Sequence, residues 1–589
     1  MTNIPPAAIL ILGAFLVPCF KSKFKNVFVV LLPLAAFFLI SQLEIGASWH
    51  YHFFGYNLTL LRVDKISLVF GYIFTINAFA AFLYAFHLKD NTQHIAALFY
   101  VGSSLGVVFS GDLVSLYFFW EVMAVSSTFL ILARRTQKAY NAGLRYILVH
   151  IFGGLCLLAG IVFYISQTGS VSFEAMAERN WGTGLILLGF LINAAAPPFS
   201  AWLSDAYPEA TVTGGVILSA YTTKTAVYTL VRGYPGWEVL ILVGCLMTIY
   251  GIIYALLEND MRRILAYSII NQVGFMVVGV GIGTMMSLNG SIAHAFCHII
   301  YKALLWMSAG AVLAMVGKSK CTELGGLYKT MPWTMVFGVI GALSISSFPG
   351  TSGFTSKSLI IQGAIQQHLA WVWLVLEIAS AGVFLHAGIK FPYFVFFAKD
   401  KGLRPGETNK SMLTAMGFLS FLCIFLGVYP QPLYQILPFE VTYQAYTVHH
   451  VVNQLQLLMF SGLVFFLFLP LLKRTETISI DTDWFYRRGG RLFYRISDRV
   501  LNGVNERAEQ VFSLGLAGWL GRRSRDLPFR LAQVLLYPCW LARGLRGEEL
   551  REKNLVLQQT LASGAAPVGI GAAVATAFLL LFFILSGLV

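Results

Sequence analysis

Seven ionisable side chains stand inside long apolar runs of this 589-residue chain: Glu121, Lys224, His294, His298, Lys302, Lys357 and Lys390. A lone charge at the centre of a membrane helix costs roughly 2.5–3.5 kcal/mol on insertion scales, so residues of this kind are functional by default. Glu121, in Leu116-Tyr117-Phe118-Phe119-Trp120-Glu121-Val122-Met123, needs a cationic partner or must accept a proton; a hydrogen bond between helices is its structural alternative. Lys224, in Tyr221-Thr222-Thr223-Lys224-Thr225-Ala226-Val227-Tyr228, is flanked by helix too long for its amine to reach water, and desolvation favours the neutral form of an amine. The run His294-Ala295-Phe296-Cys297-His298-Ile299-Ile300-Tyr301-Lys302 sets three titratable groups at i, i+4 and i+8 on one helix face. Such a stripe can pass protons through intervening waters. Lys357 follows Gly353-Phe354-Thr355-Ser356, just past a helix break, and Lys390 pairs with His386 at i, i+4, near enough to the cytoplasmic end to snorkel. Glu377, towards the other end of that span, reads as an interfacial carboxylate.

Other chemistry finds little support in these residues. A His pair at i, i+4 also suits zinc, but HExxH is absent and no Cys or carboxylate cluster supplies further ligands, so no metal is expected. The seven cysteines (19, 156, 245, 297, 321, 423, 539) form no CxxC pair, and neither a disulfide framework nor a redox cofactor is expected.

Membrane helices must position these groups. Hydrophobic residues are 57% of the chain and charged residues 12%, with mean hydropathy +0.72. Runs of spanning length begin near Pro5, Val27, Ile66, Ile95, Leu113, Leu144, Gly184, Val212, Val239, Ile264, Ser291, Trp333, Trp371, Leu413, Val451 and Val568. The expectation is an all-α polytopic protein of about sixteen spans. Pro5–Phe20 has its lysines after it rather than before it, the reverse of a signal peptide, and reads as the first span. Basic clusters follow spans 1, 3, 5, 9, 11, 13 and 15, which predicts those loops in the cytoplasm and both termini outside. These loops account for the +14 net charge, and no nucleic-acid partner is expected.

Ala196-Pro197-Pro198 and Phe348-Pro349-Gly350-Thr351-Ser352-Gly353 interrupt spans 7 and 12. Breaks at matching points suggest two inverted five-helix repeats, spans 4–8 and 9–13. The chain then divides into residues 1–94 (spans 1–3), 95–257 (first repeat), 258–400 (second repeat), 401–474 (spans 14 and 15), 475–560 (an Arg-rich amphipathic segment on the cytoplasmic side) and 561–589 (the last span).

From about Asp64 to Pro430 the motifs resemble the antiporter-like subunits shared by Mrp-type sodium/proton antiporters, respiratory complex I and membrane-bound hydrogenases. The matching residues are Phe119-Trp120-Glu121, Pro198-Phe199 with Trp202-Leu203 and Asp205-Ala206, and Lys224 with Tyr228. Asp260-Met261-Arg262-Arg263-Ile264-Leu265-Ala266-Tyr267-Ser268, His298 with Lys302-Ala303-Leu304-Leu305, and Pro349-Gly350 with Gly353-Phe354 complete the set. The resemblance implies that Glu121 pairs with a lysine on span 7, Lys224 connects two half-channels, His298 relays, and Lys357 completes the path. Asn193 stands where that lysine is expected, and Ser200 where the family has histidine. Glu121 therefore lacks its expected cation. The resemblance also implies that the 475–560 segment is a lateral helix strapping neighbouring subunits together.

The expected function is proton, or sodium/proton, translocation within a multi-subunit complex of a bacterial or archaeal plasma membrane. Its partners are other membrane subunits and the lipid bilayer. The chain carries no cofactor and makes no bonds itself; if the complex is a redox-driven oxidoreductase, the redox centre lies in other chains. A non-pumping docking subunit is the alternative. A stand-alone organic-solute transporter fits less well, because the buried polar set is titratable rather than shaped for a ligand.

Overall fold

The computed structural model describes residues 4–53, 55–470, 481–562 and 568–586. Lys473, Arg474 and the domain boundary between 474 and 475 lie outside the described residues. The chain forms two compact units, Met1–Trp484 and Phe485–Val589.

In the first unit, α1 (Pro6–Leu16) and α2 (Ser22–Ser41) precede a two-stranded antiparallel hairpin, β1 (Ser48–Phe53) and β2 (Tyr56–Arg62). The hairpin corrects the all-α expectation. Ser48-Trp49-His50-Tyr51-His52-Phe53 is rich in aromatic residues that favour strands, and its polar side chains suit the edge of the membrane rather than its interior. The helices continue as α3 (Lys65–Tyr84), α4 (Asn91–Phe109), α5 (Leu113–Leu132), α6 (Gln137–Thr168), α7 (Trp181–Asn193), α8 (Ala201–Ala206), α9 (Val212–Leu218), α10 (Thr222–Gly233), α11 (Val239–Leu257), α12 (Met261–Ile282) and α13 (Met285–Val316). They end with α14 (Pro332–Ile345), α15 (Ser352–Gln366), α16 (Ala370–Val383), α17 (Lys410–Val428), α18 (Gln431–Ile436) and α19 (Val448–Leu467). Eleven helices among the described residues are long and apolar enough to cross a membrane, and Pro6–Cys19, Trp181–Asn193 and Pro332–Ile345 are shorter apolar helices.

Local chemistry sets the ends of these helices. Asp112 caps α5 through the Ser115 N–H, Thr136 caps α6 through Ala139, Asp260 caps α12 through Arg262 and Arg263, and Thr284 caps α13 through Ser287. α6, α12 and α13 each stop at a left-handed glycine, Gly169, Gly283 and Gly317. α6 turns Leu144, Leu148, Ile151, Leu155 and Val162 outward and Gly153, Gly154 and Leu157 inward, the pattern of a helix at the lipid boundary. α12 and α13 are buried along most of their length and form the centre of the unit.

The two expected breaks share one local geometry. Two residues past the helix end, Ala195 (φ 62°) and Ser347 (φ 59°) adopt the left-handed conformation, at a cost of about 1–2 kcal/mol each. The next N–H reaches five residues back at both sites, Ala196 to the Leu191 carbonyl at 3.0 Å and Phe348 to Leu343 at 3.1 Å. Pro197 and Pro349 then prevent the helix from resuming at once.

Two further interruptions were not expected. The run beginning at Val212 is split between α9 and α10 at Ser219–Tyr221, and the run beginning at Trp371 widens into π-helical turns at Phe384–Lys390 and Tyr393–Phe397.

All but the first two residues of α20 (Asp483–Ala508) belong to the second unit, where the helix leads through a π-helical segment, Glu509–Leu516, into α21 (Ala517–Ala542), α22 (Glu548–Ala562) and α23 (Val568–Ser586). On α20, Phe493, Ile496, Val500 and Val504 recur at helical spacing and are exposed.

Candidate functional site

The α9/α10 break positions Lys224. Its buried ammonium donates to the Ser219 carbonyl at 2.6 Å and to Thr223 Oγ1 at 3.1 Å, satisfying a main-chain acceptor that the interruption frees. Lys357 is held in the same manner, donating to the carbonyl of Ile345, the last residue of α14, at 3.3 Å, with its ammonium 5.0 Å from the Phe275 ring centre. Each lysine thus sits at an interrupted helix and is bound mainly by backbone.

Between them lies the α13 stripe. His294 Nδ1 lies 3.1 Å from Ser356 Oγ, and Nε2 lies 3.1 Å from Gln272 Oε1. Ser356 donates its own proton to the Ser352 carbonyl, and Gln272 Oε1 only accepts, so both ring nitrogens of His294 face acceptors. Among the described residues His298, one turn on, has neither ring nitrogen bonded, and Lys302 Nζ has no hydrogen-bond partner, although both residues are fully buried. His298 lies within electrostatic range of Lys224, Lys302, His294 and Lys357. His386 extends the group, within range of Lys302, Lys390 and Lys357, with its Nδ1 2.8 Å from the Gly382 carbonyl.

Two of the seven residues stand differently. Lys390 donates to the carbonyls of Ala255, Leu256 and Glu258 at 2.6, 2.8 and 2.7 Å, which engages all three ammonium protons at the end of α11. Glu121 forms no ion pair among the described residues, and its Oε1 is buried without a hydrogen bond. It packs against bare backbone on α6, where an ideal Cβ on Gly154 would stand 2.0 Å from Oε1.

α6 and α7 meet through glycines spaced alike on both helices. A Cβ on Gly160 would lie 2.6 Å from the Ile186 nitrogen, and one on Gly189 3.0 Å from the Gly153 carbonyl. This approach brings Asn193, one turn past Gly189, to His150, whose Nδ1 lies 2.8 Å from Asn193 Oδ1. Sequence reasoning missed His150, although it interrupts an apolar run just as Glu121 does. It also missed Asp481, a buried carboxylate that accepts from Tyr250, from Tyr267 at 2.5 Å and from Ser204 at 3.3 Å. Asp481 stands in a polar stretch, where nothing sets it apart. Glu377, read as interfacial, lines a cavity of about 1110 Å³ together with Ser358, Gln362, His368, His449 and His450, and lies within electrostatic range of Lys357. Among the described residues no cluster of His, Cys, Asp or Glu could hold a metal ion.

The fold and these side chains define a multi-pass helical membrane protein whose buried charges gather at interrupted helices. Residues 110–383 match the family described as NADH:quinone oxidoreductase/Mrp antiporter, TM. Over that stretch the chain is similar to the antiporter-like subunits of Mrp and respiratory-type membrane complexes. A Na(+)/H(+) antiporter subunit of Alkalihalophilus pseudofirmus is 29% identical over 354 residues, covering 56% of this chain and 71% of that protein. A chain of the Mrp complex from Dietzia sp. DQ12-45-1b shares the fold with a TM-score of 0.67 at 21% identity, over 74% of this chain and 96% of that one. A chain of the membrane-bound sulfane sulfur reductase, an archaeal respiratory membrane complex, shares it with a TM-score of 0.69 at 21% identity, over 89% and 99%.

Proposed function

We propose that this chain moves protons, or protons against sodium, across a bacterial or archaeal plasma membrane as one subunit of a multi-subunit complex. The observation that carries this reading is the pair His298 and Lys302, fully buried, with no hydrogen-bond partner among the described residues for either ring nitrogen or for the amine. Desolvation without compensation is costly, so groups of this kind persist where their protonation changes during work. Lys224 and Lys357 flank the pair, and the path runs from Lys224 along the His294/His298/Lys302 stripe to Lys357. Glu377 and the polar cavity beside it form the outlet. Lys390, saturated by carbonyls, holds the end of α11. The matching geometry of the two breaks supports the reading of spans 4–8 and 9–13 as inverted repeats. The chain itself makes no bonds, and the driving reaction belongs to its partner subunits.

A docking role without pumping is the second reading. The exposed apolar residues along α20 favour it, because an amphipathic helix needs a membrane surface or a partner to cover that side. Proton flux in proteoliposomes holding the whole complex separates the two. Lys357→Ala abolishes flux without loss of assembly if the relay operates, and leaves it unchanged if the chain only docks.

A further inference from the structure

α6 and α13 are each 32 residues long, and each stops at a left-handed glycine. Counted from Gln137 and Met285, His150 and His298 hold the same place in their helices, the fourteenth. In the same register Tyr146 matches His294, and Gly154 matches Lys302. α6 is the third span of the first set of five and α13 the third of the second. The stripe that carries protons on α13 therefore has a counterpart on α6, with an imidazole retained at the central position.

The surroundings of His150 fit a proton carrier. Asn193 Oδ1 bears no hydrogen, so the 2.8 Å contact requires the proton on His150 Nδ1 and leaves the lone pair of the neutral ring on Nε2. Nε2 is buried with no hydrogen-bond partner among the described residues, and so is Asn193 Nδ2. The Glu121 carboxylate occupies the space over Gly154, and Gly154 and His150 are one helical turn apart on the same face, about 5–6 Å between Cβ positions. On the other side the His150 ring lies 4.1 Å from Tyr146 and 4.6 Å from Trp202. Tyr146 bonds Ser127 at 2.9 Å and its ring neighbours Tyr207, while Tyr100 bonds Thr222 Oγ1 at 2.6 Å, two residues before Lys224. The titratable groups around the imidazole are thus Glu121 on α5, Tyr146 on its own helix, and Tyr207 and Tyr100 beyond. Arg145, its charged neighbour on α6, is paired with Asp205 at 2.7 Å.

We propose that His150 is the proton-carrying group of the first half, in place of the lysine that the family resemblance sets at position 193. The Glu121 carboxyl releases its proton through intervening water to His150 Nε2; an O–H bond breaks, an N–H bond forms, and the imidazolium is held by Asn193. The hydroxyls of Tyr146, Tyr207, Tyr100 and Thr222 lie between it and Lys224. The assignment rests on the proton-relay reading above, and the experiment separates the two. In the whole complex reconstituted in proteoliposomes, His150→Gln lowers proton flux at least tenfold while the complex assembles. His150→Gln combined with Asn193→Lys recovers at least a third of the flux, because the titratable group returns from the facing helix. Wild-type flux in His150→Gln overturns the assignment alone if Lys224→Ala is still inactive, and overturns the relay as well if Lys224→Ala is also fully active. Should His150→Gln not assemble, Asn193→Leu carries the test. It keeps the imidazole and removes the acceptor for Nδ1–H, so the pH profile of flux moves; an unmoved profile overturns the assignment.

Discussion

Lys224 donates to the carbonyl of Ser219 at 2.6 Å, across the interruption between α9 and α10. Lys357 answers the Ile345 carbonyl across the gap between α14 and α15. An ammonium in this position does two things at once: it satisfies a buried main-chain acceptor, and it keeps a proton it can release. Arginine can do the first and not the second, since its guanidinium stays protonated. Lys224→Arg is therefore expected to keep assembly and thermal stability while losing at least tenfold in flux, read by detergent melting curves beside proteoliposome assays.

Gly154 makes room for Glu121. A methyl group at 154 would overlap Oε1, so Gly154→Ala must push the carboxylate away from α6. Flux is expected to fall at least threefold in an assembled complex. Glu121→Asp in the same chain shortens the side chain and restores part of that loss, which a general packing fault on α6 would not allow.

Lys302 and Lys390 are expected to respond in opposite ways. Lys390 engages three carbonyls, and hydrogen bonds to a charged group contribute about 1.5–3 kcal/mol each, so Lys390→Met destabilises by at least about 2 kcal/mol. Lys302 has no hydrogen bond to lose among the described residues, and Lys302→Met leaves stability unchanged or raises it by removing an unpartnered buried amine. Flux follows the reverse order, lost in Lys302→Met and retained in whatever Lys390→Met complex survives. Thermal melts and flux on the same preparations check both.

Outside the membrane, Asp400 binds Arg404 at 2.8 and 2.9 Å, Lys329 at 2.9 Å and the Gly402 N–H at 2.8 Å. Arg404 first, then Lys329 and the Gly402 amide, hold its carboxyl well below the usual aspartate range. A lowered folded-state value means that the stabilisation is complete above the unfolded value of about 3.9 and fades as pH falls through the lowered one. Asp400→Asn is expected to lower the melting temperature at pH 7, by a gap that narrows once the pH drops below about 4. A gap that widens in acid contradicts this sign.

Much of this arrangement was legible in the sequence because its causes are local. Pro197, Pro198 and Pro349 announce their breaks, since a residue without an N–H cannot continue a helix, and charges within apolar runs announce themselves by their cost. The break at Ser219–Tyr221 was hidden because Leu218-Ser219-Ala220-Tyr221 contains no breaker; it depends on Lys224 and the surrounding packing to satisfy the freed carbonyl. The surroundings of Glu121 were hidden too, because the space that receives it comes from Gly154, a residue with no side chain on another helix. Lys390 shows the converse: its place near the cytoplasmic end suggested snorkelling, and its three carbonyl partners instead hold it buried at the end of α11.

The most direct test of the relay is proton flux into proteoliposomes containing the whole complex with Lys224→Ala, beside Lys357→Ala and the unaltered chain, with assembly verified for each. The relay predicts that either variant reduces flux to the level of empty liposomes. Full transport by both contradicts it.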